Sequence, residues 1–353
     1  EWLQPAVRTG FPDGVRLNLE SVPVIGGVAQ VDLNRSARLA SDEARIALSE
    51  QLVWTLAQLS DVQSIAITAA GEPFLVPDVA SPQPRDAWPE VDPNAMPIGT
   101  TGFVAQSAGV VSLVDAGVAP VPGPAGSIDF TDIAVSGDIS ELAGIDTKGN
   151  LLRIPMTARA SRQRIDVGGA PSAPAFGPSG DLWVMVAGRG LVSVDERGVV
   201  TPITVEGLTK RSFILAAVPS RDGTRAALIV RSGARTRLLL ARITSAGVTS
   251  SADLTVSDPI RVEKELTEVV DVAWADSDEL LVLGSKGGAA LQSFTVNMAD
   301  GTLSDEGGVS GALSIAAAPG QPNLMGGAEG KVYEVLGGAW LTRTSGVSPA
   351  YPN

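Results

Sequence analysis

The 353-residue sequence contains no cysteine and no histidine, and aromatic side chains make up only 4% of it. Without cysteine there is no disulfide framework, thiolate nucleophile, iron–sulfur cluster or cysteine-ligated zinc. Without histidine, Ser-His-Asp and Cys-His constellations are excluded, as are His-rich zinc and iron sites. An enzyme built from this chain has to work with carboxylates, Tyr, Lys, Ser or an oxygen-liganded metal. No apolar run approaches the roughly 20 residues of a bilayer-spanning helix. The opening Glu1-Trp2-Leu3-Gln4-Pro5 lacks the basic start and apolar stretch of a signal peptide, so the expectation is a soluble piece. A net charge of −13 argues against nucleic acid, whose phosphates need a basic surface.

What is present points to short strands. Apolar residues form 44% of the chain at a mean hydropathy of +0.20, while 39 Gly and 24 Pro interrupt regular structure throughout. The length suits at least two hydrophobic cores. In residues 1–75, Val15 to Val22 and Val28 to Leu33 alternate with period two around a Gly26-Gly27 hairpin signal. From Ser41 to Leu59 the period becomes helical, with Leu48, Leu52, Leu56 and Leu59 on one stripe, Ser41 as N-cap and Asp42 and Glu43 in the first turn. Val62 to Thr68 alternates again, which predicts a small α/β domain. Seven prolines in residues 73–97 exclude helix and central strand, so 76–97 reads as a connector. Phe74, Leu75, Val76 and Trp88 make it too apolar for a solvated tether.

Residues 98–353 repeat. Small-residue anchors at Ala134, Ala175, Ala217, Ala273 and Ala316 precede turns and are spaced 41, 42, 56 and 43 residues apart. Strand-only units of that length predict a β-propeller, with small residues crowding the axis and Leu182, Val184, Val186, Ala227, Ile229, Leu280, Val282 and Leu324 filling layers between blades. Gly102 to Val121 supplies three strands without an inner one, and Gly346 to Tyr351 can supply the fourth. The fold class is thus mainly β: a small α/β domain, then a propeller of six blades closed by the C-terminal strand, with five or seven as alternatives.

Motifs for chemistry are sparse. Asp222 suits a hairpin turn. Asp276, Asp278 and Glu279 lack EF-hand spacing, and Gly284 to Gly288 lacks the Lys-Ser/Thr pair and the following helix of a phosphate loop. Trp183, Trp274 and Trp340 fall at strand positions where core packing is the ordinary explanation, and Trp54 suits the space between helix and sheet. No metal, cofactor or catalytic set emerges, and the reading is non-enzymatic.

Charge is uneven. Residues 153–242 carry 14 basic and 6 acidic side chains within an otherwise acidic chain. Arg153, Arg159, Arg162 and Arg164 form one basic segment; Lys210, Arg211, Arg221, Arg225, Arg231, Arg235, Arg237 and Arg242 form a second, met only by Asp222. Guanidinium forks pair bidentately with carboxylates, so the candidate partner-binding set is Arg153, Arg159, Arg162, Arg164, Lys210, Arg211, Arg221, Arg235 and Arg237. Both segments are expected on one side of the ring.

The segment Phe11 to Pro73, through Gly27-Val28-Ala29-Gln30-Val31-Asp32-Leu33 and the helix with Gln51-Leu52-Val53-Trp54-Thr55-Leu56, resembles the GerMN domain of spore-germination and envelope lipoproteins. Such a domain followed by an Ala/Arg-rich propeller ending in Pro349-Ala350-Tyr351-Pro352 resembles the LpqB family of actinobacterial lipoproteins. The resemblance implies a protein lipid-anchored at the outer face of the plasma membrane through a cysteine outside this sequence. It also implies association with the extracellular domain of an MtrB-like sensor histidine kinase, and so a role in two-component signal transduction at the cell envelope. The family supplies no catalytic residues. An alternative is a propeller that binds cell-wall glycan or lipid at its axis; a further one is a carboxylate-based hydrolase, which needs paired acids on the axis.

Overall fold

The computed structural model describes residues 2–115, 117–245 and 254–353. The chain divides into two compact units, one of Val7–Ala95 and one of Met96–Asn353 together with Glu1–Ala6.

In the smaller unit, Val28–Leu33 and Ser64–Ala69 pair in parallel, joined by the helix Asp42–Leu56. Ser41 caps that helix by accepting the Ala44 N–H at 3.3 Å, and Asp42 and Glu43 offset the dipole. Leu48, Leu52 and Val53 bury against Val31, Leu33, Ile65 and Ile67, and Trp54 packs against the same core. The hairpin at Gly26-Gly27 forms, with φ of +58° and +81°, values that a two-residue turn matched to strand twist requires. Its first strand, however, is Val24–Ile25 rather than Val15 to Val22. The earlier segment only runs beside the sheet, bridging Leu17 to Leu33; Pro23, which has no N–H to donate, separates it from the hairpin. The proline-rich stretch packs as its composition requires: Phe74, Val76 and Trp88 are buried, and Trp88 Nε1 donates to Ser49 Oγ at 3.0 Å. Leu75, at 70% exposure, does not join them.

In the larger unit the strands named below form six sheets, antiparallel except for one edge strand of the fourth. The first contains Phe103–Gln106, Gly109–Val114 and Gly117–Pro120, with Val347–Ala350 paired to Phe103–Gln106. The second contains Phe130–Val135, Glu141–Asp146, Leu151–Pro155 and Gln163–Ile165. The third contains Pro171–Phe176, Leu182–Val186, Gly190–Val194 and Val200–Pro202. The fourth contains Ser212–Pro219, Arg225–Ser232, Arg235–Ser245 and Leu254–Ile260, with Thr204–Val205 added in parallel at its edge. The fifth contains Glu268–Trp274, Glu279–Ser285, Gln292–Asn297 and Leu303–Gly307; the sixth contains Ala312–Ala316, Leu324–Gly327, Lys331–Leu336 and Ala339–Ser345.

The middle strands are apolar on both faces because each sheet is covered on both sides. Leu182, Val184 and Val186 pack on the second sheet, while Trp183 and Met185 on the opposite face pack on the fourth. Leu280 and Val282 meet Ala227 and Ile229, and Leu281 and Leu283 meet Ile315 and Met325. The first sheet shares one cluster with the sixth, through Val104, Leu113 and Leu324, and another with the second, through Phe103, Val110 and Phe130. The innermost strands touch in the order Phe130–Val135, Pro171–Phe176, Ser212–Pro219, Glu268–Trp274, Ala312–Ala316 and Val347–Ala350, and the last of these also lies against Phe130–Val135.

Candidate functional site

All six innermost strands line one cavity of about 800 Å³. All six carry a register shift, between Phe130 and Asp132, Ser172 and Ala175, Ile214 and Ala216, Val269 and Asp271, Ala312 and Ser314, and Val347 and Pro349. A bulge leaves backbone N–H groups outside their own ladder, and these must find other acceptors. Side chains of adjacent sheets supply them. Ser348 Oγ accepts the Ile133 N–H at 3.0 Å and donates to Asp132 Oδ1 at 2.9 Å. Asp132 in turn accepts backbone hydrogen bonds from Ile133 and Ala173. Asp271 Oδ2 accepts the Ile315 N–H at 2.8 Å, and its Oδ1 accepts Val272 N–H at 2.9 Å. Ala173 and Ser348 hold left-handed backbone, φ +48° and +46°, and each lies in this hydrogen-bonded belt.

Burial raises the carboxyl of Asp132 to about 6 against the hydrogen bonds that favour its charge. Asp271 is pushed up to about 7 by burial, opposed by two backbone N–H donors and reinforced by repulsion from Asp132. The remaining lining is mostly apolar and, among the described residues, includes no lysine or arginine. Among the described residues, no group of three or more His, Cys, Asp or Glu is arranged to hold a metal ion.

One end of the cavity is tied off by residues 351–353. Asn353 donates its backbone N–H to Val135 O at 3.1 Å and its Nδ2 to Phe176 O at 2.8 Å and Pro219 O at 3.0 Å, the last residues of three innermost strands. Tyr351 Oη donates to Pro322 O at 2.7 Å. Those three strands therefore end together, and their opposite ends surround the mouth.

This polarity separates the two basic segments. In the second sheet the loop carrying Arg159 and Arg162 joins the third strand to the fourth, which puts it at the tail end. In the fourth sheet Lys210 and Arg211 precede the first strand, and Arg231, Arg235 and Arg237 flank the second hairpin, all at the mouth end. Arg159 and Arg162 thus lie at the opposite end from Lys210, Arg211, Arg231, Arg235 and Arg237, with the third sheet between their sheets, while Arg221, which donates to Pro352 O, stays at the tail end; this corrects the expectation of one shared side, and strand alternation, invisible in composition, decides it.

Three of the arginines are internal struts. Arg153 is 1% exposed. Its Nε donates to Glu141 Oε2 at 2.8 Å and its Nη2 to the same carboxylate and to Gly180 O, while the guanidinium lies 5.5 Å from the Phe176 ring centre. Arg221 donates to Pro352 O at 2.8 Å, and burial lowers it to about 10. Arg225 donates to Ser277 O at 2.7 Å and stacks 5.2 Å from Trp274. Arg153 thus leaves the partner-binding set, because its hydrogen-bonding groups are spent on carbonyls and a carboxylate inside the unit, while Arg221 is half-buried and gives one donor to Pro352 O. Arg242, from the same run, clamps the N-terminal segment through Trp2 O at 2.8 Å and Gln4 O, and pairs with Asp258. Arg159, Arg162, Arg164, Lys210, Arg211, Arg235 and Arg237 are exposed and make no ion pair among the described residues. Asp222 closes its hairpin turn by accepting Thr224 N–H at 3.0 Å.

Sequence reasoning passed over Asp132 and Asp271. A signal was available: two residues ahead of the anchors Ala134, Ala175, Ala217, Ala273 and Ala316 stand Asp132, Ala173, Leu215, Asp271 and Ser314, and Ser348 stands likewise before Ala350. A charge at a position otherwise filled by small or apolar residues marks a strand facing a cavity.

Covered sheets succeeding one another around a common cavity define the larger unit as a β-propeller. A solved structure of TolB from Acinetobacter baumannii matches it with a TM-score of 0.51 at 16% identity, covering 72% of this chain and 67% of that one, a likeness of fold alone. The family model described as the lipoprotein LpqB beta-propeller domain matches residues 108–352, and one described as sporulation and spore germination matches residues 1–74. The chain belongs to the LpqB lipoprotein family. It is 28% identical to lipoprotein LpqB of Thermobifida fusca, over all of this chain and 63% of that protein, and 26% identical to lipoprotein LpqB of Rhodococcus jostii, over 79% of this chain and 50% of that protein. The chain therefore spans less than two thirds of these relatives.

Proposed function

We propose that this chain is the extracytoplasmic part of a lipid-anchored accessory protein that binds the sensor domain of an MtrB-like histidine kinase and shifts its conformational equilibrium. The observation that carries the reading is the exposed cluster of Lys210, Arg211, Arg231, Arg235 and Arg237 at the mouth end of the fourth sheet, which makes no ion pair among the described residues, on a chain that is otherwise acidic. A concentrated basic patch steers an acidic protein surface and fixes its orientation. We read the six sheets as blades of one closed ring, a rigid platform for that patch; the clusters shared by every successive pair of sheets support this. We also read the chain as non-catalytic, since Asp132 and Asp271 are both engaged in bridging adjacent strands. The names of the curated relatives support the lipid anchor.

The test is titration of the purified kinase ectodomain with the variant carrying Arg235→Glu and Arg237→Glu. Affinity is expected to fall by at least about tenfold, with a shallower dependence on salt. Equal affinity for both proteins rejects the patch as the docking surface.

A further inference from the structure

The axial cavity is large enough for a ligand and its lining has a single sign of charge. Its volume of about 800 Å³ lies within the range of small-molecule sites. The innermost strands bring Leu215, Val270, Leu313 and Val347 to its wall, and three of these keep substantial exposure: Leu313 56%, Val270 37% and Val347 36%. An apolar, solvent-reached wall favours a hydrocarbon body. Asp132 and Asp271 come from the second and fifth sheets, and Asp129 adds a third carboxylate to the lining, with no lysine or arginine to neutralise them. Asp271 uses one hydrogen bond on each oxygen, while a carboxylate offers about four acceptor sites, so capacity for a further donor remains. A hard divalent ion needs about six to eight converging oxygen ligands, and among the described residues no three carboxylates are arranged to hold one. An ammonium needs only acceptors and an opposite charge.

We propose that the cavity binds an alkylammonium group, with its hydrocarbon chain against Leu215, Val270, Leu313 and Val347 and its ammonium held by Asp132 and Asp271. The cation offsets the repulsion between the two carboxylates and brings an opposite charge to groups that burial has made costly to ionise. The same chemistry is carried by a free aliphatic amine and by a lysine side chain in a peptide. This site is independent of the basic patch, which lies outside the cavity lining.

The experiment is calorimetric titration of the full chain, at about pH 7.5 so that both carboxyls ionise, with cadaverine, with Nα-acetyl-lysine N-methylamide and with 1-pentanol. Saturable binding of at least one amine and none of the alcohol is expected. Asp271→Asn and Asp132→Asn should each weaken amine binding by at least about tenfold, while the Arg235→Glu, Arg237→Glu variant should bind as the parent does. Because an aspartate variant can be misfolded, Ser314→Lys provides a second test: it introduces a tethered ammonium into the lining and should abolish amine binding in a protein that still melts cooperatively. Binding of cadaverine alone assigns a free amine as ligand, and binding of the lysine derivative alone assigns a peptide side chain. No saturation by either amine up to about 10 mM, or undiminished binding in folded Asp271→Asn and Ser314→Lys proteins, overturns the proposal. Loss of kinase binding by the arginine variant leaves this result untouched, so the two readings fail separately.

Discussion

Replacing Arg153 by alanine separates its structural role from the partner-binding role that its sequence context suggests. The guanidinium is buried, holds Glu141 through two nitrogens, and satisfies Gly180 O at 2.8 Å and, more loosely, Val194 O at 3.4 Å. Arg153→Ala leaves the Glu141 carboxylate, whose side chain is 23% exposed, facing a cavity with its partner gone. Breaking a buried ion pair from one side costs about 3–5 kcal/mol. For a unit of this size about 1 kcal/mol lowers Tm by about 2–4 °C, so melting should fall by about 6–20 °C. The assay is thermal denaturation followed by circular dichroism on the full chain. Arg159→Ala and Arg162→Ala, both exposed, serve as controls and should stay within about 0.5 kcal/mol of the parent. The double replacement Arg153→Met, Glu141→Leu should recover most of the loss, because an apolar pair of similar volume leaves no unpaired charge. A Tm for Arg153→Ala within about 2 °C of the parent would refute the argument that this arginine is a strut.

Two further outcomes follow from the axis. Asp132 and Asp271 hold protons more tightly folded, at about 6 and about 7, than at the ordinary 3.8, so the folded state carries extra protons between those values. Their contribution to stability is therefore lost as pH rises from about 4 to about 7. The rise from 3.8 to about 7 for Asp271 corresponds to about 4 kcal/mol, and Asp271→Asn should flatten the decline measured by urea denaturation across that window; an unchanged slope rejects the assignment. Asn353→Ala removes the donors to Phe176 O and Pro219 O and should cost about 2–3 kcal/mol, read as a lower Tm; an equal Tm rejects the role of Asn353 in tying the strand ends.

Particular residues mark how far sequence reading reached. The anchors Ala134, Ala175, Ala217, Ala273 and Ala316 all fall on innermost strands, and Leu182, Val184, Val186, Ala227, Ile229, Leu280, Val282 and Leu324 are all buried, because alternation along a strand is a local property. Ser41 caps its helix for the same reason. Arg153 and Arg159, six positions apart in one basic run, have opposite fates: one turns into the core beside Glu141 and the other stays in solvent. Charge density along the chain cannot distinguish them, since burial depends on what the neighbouring sheet offers.

The amino-acid order by itself determined the spacing of the repeats, the helix and its cap, the absence of thiol and imidazole chemistry, and the family resemblance. Each of these depends on residues close together in the chain or on composition. Only the tertiary structure decided that Asp132 and Asp271 share a cavity, that Asn353 ties three strand ends, and that Arg159 and Arg162 lie at the opposite end of the sheets from Lys210, Arg211, Arg235 and Arg237. Those facts depend on which strands lie side by side and in which direction they run, and contacts between residues more than a hundred positions apart carry no periodicity for a sequence to display.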